Sequence, residues 1–158
     1  MARTRPDKTQ RPQAAAHASD RARRRRKAAE QRARSSRILI CEAPTPQGTP
    51  VASAVRALGF EVDDCASLAD ALRVATVSPC DVLIAVLPCA DDEHLSLLGL
   101  LRRAQPGTPL VVVSPDGSLE MRVRCQPVRP FYFAVPPIPT EELRAIVNDA
   151  IEHAPARA

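Results

Sequence analysis

CDVLIAVLP (Cys80–Pro88) is the stretch on which the fold turns. From Val82 to Leu87 six apolar residues follow one another with no polar residue between them. A strand with one wet face alternates apolar and polar side chains. An unbroken run this short therefore reads as a strand covered on both faces. Strands of that kind belong to parallel sheets wrapped by helices, and the flanking sequence supplies the helices.

Downstream, Asp91 or Asp92 can cap a helix whose Leu95, Leu98 and Leu101 form an apolar stripe, with Arg102-Arg103 in its last turn and Gly107 beyond it. Leu110–Val113 is a second unbroken apolar run, Phe131–Val135 is another strand candidate, and Thr140 to about His153 makes a closing helix with Leu143, Ile146, Val147 and Ile151 on one face. Upstream, Ile38-Leu39-Ile40 ends at Glu42 and a turn-prone PTPQG (Pro44–Gly48). Thr49-Pro50 reads as the N-cap and first position of a helix stopped by Gly59. Phe60–Cys65 is a strand candidate, and Ser67 with Asp70 opens the next helix in the manner of a capping box. One segment conflicts with the rhythm. Leu119, Met121, Val123 and Cys125 alternate with charged residues, a strand period where the pattern calls for a helix; a short or irregular helix is the expectation. Alternating strands and helices of this size imply a doubly wound parallel α/β sheet.

RILICE, LGFEV, CDVLIAVLP, TPLVVVS and FAVPPIPTEEL, in that order across residues 37–153, together resemble a bacterial response-regulator receiver (CheY-like, flavodoxin-like) domain. The resemblance implies five parallel strands in the order 2-1-3-4-5, with the functional pocket at their carboxyl ends. In that family two acids after the first strand hold Mg²⁺ and an aspartate after the third accepts a phosphoryl group. A Thr/Ser and a Lys follow the fourth and fifth strands. Carried over position by position, the acid pair is Glu42-Ala43, the acceptor position is Val86, the hydroxyl is Ser114, the lysine position is Pro136 and the aromatic of the fifth strand is Phe133. Valine cannot accept a phosphoryl group. Asp81 and Asp91 each lie five residues from Val86, too far for a slip in the match. The resemblance thus implies a degenerate pseudo-receiver that is no enzyme, needs no cofactor or metal and acts by contact. The family's partner face maps to Ser118–Cys125, Phe131–Val135 and Glu141–His153, with Arg122, Arg124, Tyr132, Glu142 and Arg144 as contact candidates, for another signalling protein or a homodimer.

The net charge of +4 hides an asymmetry. Residues 1–37 carry 13 Lys/Arg against Asp7, Asp20 and Glu30, whereas the remainder carries nine Arg against 15 Asp/Glu. Residues 1–36 contain no aromatic, Val, Ile or Leu, so the expectation is a basic arm that is disordered when alone, preceding a domain over 37–153 and a disordered 154–158. Ser19-Asp20 could cap a helix through Arg34 once an anionic partner offsets the self-repulsion of Arg23–Lys27. Arg21, Arg23, Arg24, Arg25, Arg26, Lys27, Arg32 and Arg34 are the candidate phosphate contacts for DNA or RNA. Two functions follow: a phosphorylation-independent adaptor or regulator, or a nucleic-acid-associated protein whose arm binds while the domain dimerises.

Cys41, Cys65, Cys80, Cys89 and Cys125 are odd in number and never closer than nine residues, which fits neither a zinc knuckle nor a secreted disulfide framework. Cys41 and Cys89 fall near the ends of neighbouring strands and are a candidate redox pair, although a buried cysteine usually serves as a small hydrophobe. Asp91-Asp92-Glu93-His94 reads as helix capping and not as a metal site, because adjacent residues opening a helix cannot all face one ion. Nothing like a nucleophile elbow surrounds Ser114 to join it to His17, His94 or His153, and the five glycines stand singly. With no apolar leader after the basic start and no run long enough to span a bilayer, the expected location is the cytoplasm.

Overall fold

The computed structural model describes residues 11–44, 48–89 and 91–155. The chain divides into two units, 1–32 and 33–158. Helix α1 (Arg11–Ser35), most of which belongs to the first unit, is one continuous helix, ten residues longer at its start than the helix expected from Arg21. Ser19-Asp20 lies inside it. The reason is local: Ala, Arg, Gln and Lys all favour helix, and Asp20 pairs with Arg24 at 3.0 Å and Glu30 with Arg26 at 3.3 Å, each one turn apart. Residues 18–32 are exposed all round, so no apolar stripe is present on this stretch.

The second unit runs β1 (Arg37–Glu42), α2 (Val51–Ala57), β2 (Glu61–Cys65), α3 (Leu68–Val77), β3 (Val82–Val86), α4 (Asp92–Ala104), β4 (Leu110–Val113), α5 (Leu119–Cys125), a 3₁₀ turn (Gln126–Val128), β5 (Tyr132–Ala134) and α6 (Thr140–His153). All strands are parallel and their order is β2-β1-β3-β4-β5, the order the resemblance implied. Most of the turn expected at Pro44–Gly48 lies outside the described residues.

Pleating sends alternate strand residues to opposite faces. Leu39, Leu83, Leu110 and Val112 pack beneath α3, α4 and α5, meeting Ala71, Leu98, Leu101 and Met121. Ile38, Ile40, Val82, Ile84, Val111 and Val113 pack beneath α2 and α6, meeting Val55, Leu143, Ile146 and Val147. Each such buried aliphatic side chain contributes about 1.5–3 kcal/mol of hydrophobic free energy. The two-sided burial explains the unbroken apolar run of β3.

Ser67 and Asp91 cap their helices as expected, and Ser118 does so as well, each accepting a backbone N–H three residues on. Helix α5 resolves the conflicting segment. Met121 and Cys125, four apart, face the core, while Leu119 and Val123 stay outside at 76% and 50% exposed. Half of the apparent strand period was therefore surface. At the carboxyl terminus Ala154 is buried and Pro155 lies against Gly107.

Candidate functional site: the carboxyl ends of the strands

Register places Glu42 of β1 beside Val86 of β3, and Val86 beside Val113 of β4. Val86, the position that the resemblance matches to a phosphoacceptor, is a half-buried valine between an acid and another valine. Glu42, which the resemblance matches to one of the family's acids, is engaged. Its Oε1 accepts the N–H of Val51 at 3.0 Å and its Oε2 that of Ala52 at 3.1 Å. Those amides open α2, whose residue before the first turn, Pro50, offers no side-chain cap. A carboxylate reaching back from β1 thus satisfies donors that a local cap leaves free. Ala43, next in the chain, is exposed and adds no ligand.

Ser114 is fully buried, and its hydroxyl accepts the N–H of Asp116 at 3.2 Å, forming a turn after β4. Pro136 is exposed and brings no cation to the pocket. Phe133 packs on the α3–α5 side of the sheet, and the guanidinium of Arg122 lies over its ring at 4.7 Å.

The two aspartates near β3 have other duties. Asp81 sits at the opposite, amino end of the sheet, buried, with Oδ2 accepting the N–H of Arg37 at 2.7 Å; its own N–H returns to the Arg37 carbonyl at 2.8 Å. Asp91 caps α4 through Oδ1 and the N–H of His94 at 2.8 Å. That bond holds the Asp91 carboxyl below the usual carboxylate range, helped by the His94 ring. Asp92 turns away to Arg124 at 2.8 Å, so the four residues Asp91–His94 do not converge. Cys89 does join Asp91 and His94, a grouping that reading four consecutive residues overlooked.

The partner-face candidates separate into small groups. Tyr132 donates to Glu142 at 3.4 Å, Arg144 pairs with Glu141 at 3.7 Å, Arg122 covers Phe133, and Arg124 is drawn to α4. The same region carries exposed apolar side chains that charge-based selection missed: Leu119 and Val123 on α5, and Phe131 and Val135 flanking the edge strand β5. For Leu119 and Val123 the signal was the alternation across Ser118–Cys125.

On α1, Arg21, Arg23, Arg24, Arg25, Arg26, Lys27 and Arg32 are exposed; of Arg34 only the backbone is described. All five cysteines are free. In register Cys41 lies beside Cys65 of β2 and Ala85 of β3, with Cys89 in the exposed loop beyond. Burial, then the neighbouring Cys65, pushes the Cys41 thiol up to about 12, which makes it a poor nucleophile and a small core hydrophobe. His94 and His153 are held by Asp91 and by the Asp149 carbonyl, and the Ser114 hydroxyl is engaged with the Asp116 amide.

No family model matches the chain. Two Escherichia coli proteins, the transcriptional regulatory proteins GlrR and QseF, are each 28% identical to it over 99 residues, covering 62% of this chain and 22% of their own length. Among solved structures, a pilus assembly-related protein of Burkholderia pseudomallei superposes with TM-score 0.71 at 16% identity, covering 80% of this chain and 96% of its own. A CheY-like receiver domain protein of Methanospirillum hungatei gives 0.65 at 20%, covering 74% and 94%. The receiver domain of a Pseudomonas aeruginosa sensor histidine kinase, solved with magnesium in its active-site cleft, gives 0.63 at 23%, covering 74% and 98%. The domain that begins at Arg37 has the receiver (CheY-like) fold.

Proposed function

We propose that the chain is a pseudo-receiver: a non-enzymatic, phosphorylation-independent regulator or adaptor that docks on another signalling protein. One observation carries the reading. At the junction of β1, β3 and β4 the acceptor position is Val86, and the neighbouring Glu42 spends both carboxylate oxygens on α2. Phosphoryl transfer onto a receiver needs an acceptor carboxylate, an oxygen-rich metal site and a cation for the developing charge. Val86, Ala43 and Pro136 stand where those groups would be. The relatives' names tie domains of this kind to transcriptional regulation, the setting in which a partner is best sought.

The docking face in this reading joins α5, β5 and the first turns of α6. There Leu119, Val123 and Tyr132 supply exposed apolar area, and Arg122, Glu142 and Arg144 the polar rim. A homodimer would use the same face. The proposed setting is the cytoplasm; no helix among the described residues is long and apolar enough to cross a membrane.

The test is incubation with acetyl phosphate and Mg²⁺, followed by intact mass. An unchanged mass is the expected result. A labile phosphoryl adduct would sink the pseudo-receiver reading.

A second reading draws on α1, a helix of 25 residues whose Arg21–Arg32 stretch is exposed and basic all round. Such a rod suits the phosphate backbone of a nucleic acid better than an apolar groove. Duplex DNA binding by the full chain and by residues 37–158, across a salt series, separates the two. An arm-driven binder loses affinity on truncation and shows a log–log salt slope of about −5 or steeper. An adaptor keeps its protein partner without the arm.

A further inference from the structure

We propose that Cys89, Asp91 and His94 form a three-ligand site for a divalent cation of the zinc class. The three residues come from the loop after β3, the cap position of α4 and its first turn. Their ligand atoms, a sulfur, a carboxylate oxygen and an imidazole nitrogen, all lie within 4.8 Å of one another. The Cys89 thiol faces Asp91 Oδ2 at 3.9 Å, and His94 Nδ1 meets Asp91 Oδ1 at 2.6 Å. Tetrahedral zinc, with bonds of about 2.0–2.3 Å, sets its ligand atoms roughly 3.3–3.8 Å apart. The sulfur already stands near its place, and the imidazole would exchange its contact with Oδ1 for the ion.

The cap and the metal bond do not compete for one atom. Oδ1 accepts the His94 backbone N–H at 2.8 Å, which fixes the carboxylate, while Oδ2 points at the sulfur. Donor chemistry selects the cation. One thiolate, one imidazole and one carboxylate suit a borderline-soft ion, whereas Mg²⁺ takes about six oxygens. Beside the trio lies a cleft of about 350 Å³ lined by Cys89, Asp91, Asp116, Glu120 and Arg124. Arg124, which also lines the cleft, pairs with Asp92 at 2.8 Å, and the acids Asp91, Asp116 and Glu120 outnumber it there. Three protein ligands leave a fourth tetrahedral position, which a water in this cleft can take. The site uses none of the positions matched to the receiver pocket, so it stands whether or not the chain is a pseudo-receiver.

The experiment is a Co²⁺ titration of the full chain, read by the thiolate-to-cobalt charge-transfer absorption and the visible bands of tetrahedral cobalt, with Zn²⁺ added afterwards. We expect one equivalent bound, bleaching by Zn²⁺, loss of the charge-transfer band in Cys89→Ser, loss of the tetrahedral bands in His94→Gln, and no change in Cys65→Ser. Asp91→Asn retains a helix-capping side chain and should weaken binding about tenfold or more. Far-ultraviolet circular dichroism checks that each variant is folded. A full chain without a charge-transfer band, a charge-transfer band that survives Cys89→Ser, or tetrahedral bands that survive His94→Gln overturns the site.

Discussion

The two ends of the sheet treat their carboxylates differently. At the amino end Asp81 is buried and ties β3 to β1 through a pair of backbone bonds with Arg37, whose guanidinium also pairs with Asp63 of β2. Nearby, Thr108 donates to the Cys80 carbonyl at 3.1 Å, and Gln105 to the Ala75 carbonyl at 2.6 Å. Each of these contacts bridges segments 26 or more residues apart. At the carboxyl end Asp92 reaches as far, to Arg124, while Glu42 spans nine and ten residues. Asp91, Asp116 and Cys89 sit in exposed loops and bond within a few residues of themselves. The amino end is built for cohesion, and the carboxyl end keeps side chains at the surface where a ligand or partner can reach them.

Removing Asp81 should break the contrast most sharply. Asp81→Ala leaves the Arg37 amide without its acceptor in a part-buried site, a cost of about 1–3 kcal/mol. Urea unfolding should show a lower midpoint at unchanged slope. Val86→Asp comes next, at about 2 kcal/mol, because it sets a carboxylate between Glu42 and the apolar edge of β4. The same variant should stay inert to acetyl phosphate and Mg²⁺, since Ala43 and Pro136 remain. Glu42→Ala removes the cap of α2 and should cost about 1 kcal/mol in the same assay, while the basal phosphodonor result is unaffected.

The last effect is confined to alkaline pH. Cys41 is held neutral in the folded state, its pKa raised from 9.0 to about 12, chiefly by burial. Because the folded value is the higher one, its contribution is fully present below pH 9 and is lost as pH rises towards 12. Cys41→Ala should flatten the fall in melting temperature over that window. In acid the sign reverses: Asp70, Asp91 and Asp116 have lowered values, so what they add is present above about pH 4 and fades below it.

The sequence by itself determined the elements and their order. An unbroken apolar run, a capping serine or a leucine stripe reports burial and chain direction within a few residues, and that suffices for β3, α3, α4 and α6. It also sufficed to place Val86 at the end of the third strand. Where a helix was too short for its period to show, as in α5, the local signal failed. Only the tertiary structure decided who bonds to whom. Glu42 caps a helix nine residues on, Asp81 holds an amide 44 residues back, and Cys41 meets Cys65 in place of Cys89. Cys89 joined Asp91 and His94 because a loop turned it towards them. Burial preference is a property of each residue, whereas a bonding partner depends on which strand ends the sheet sets side by side.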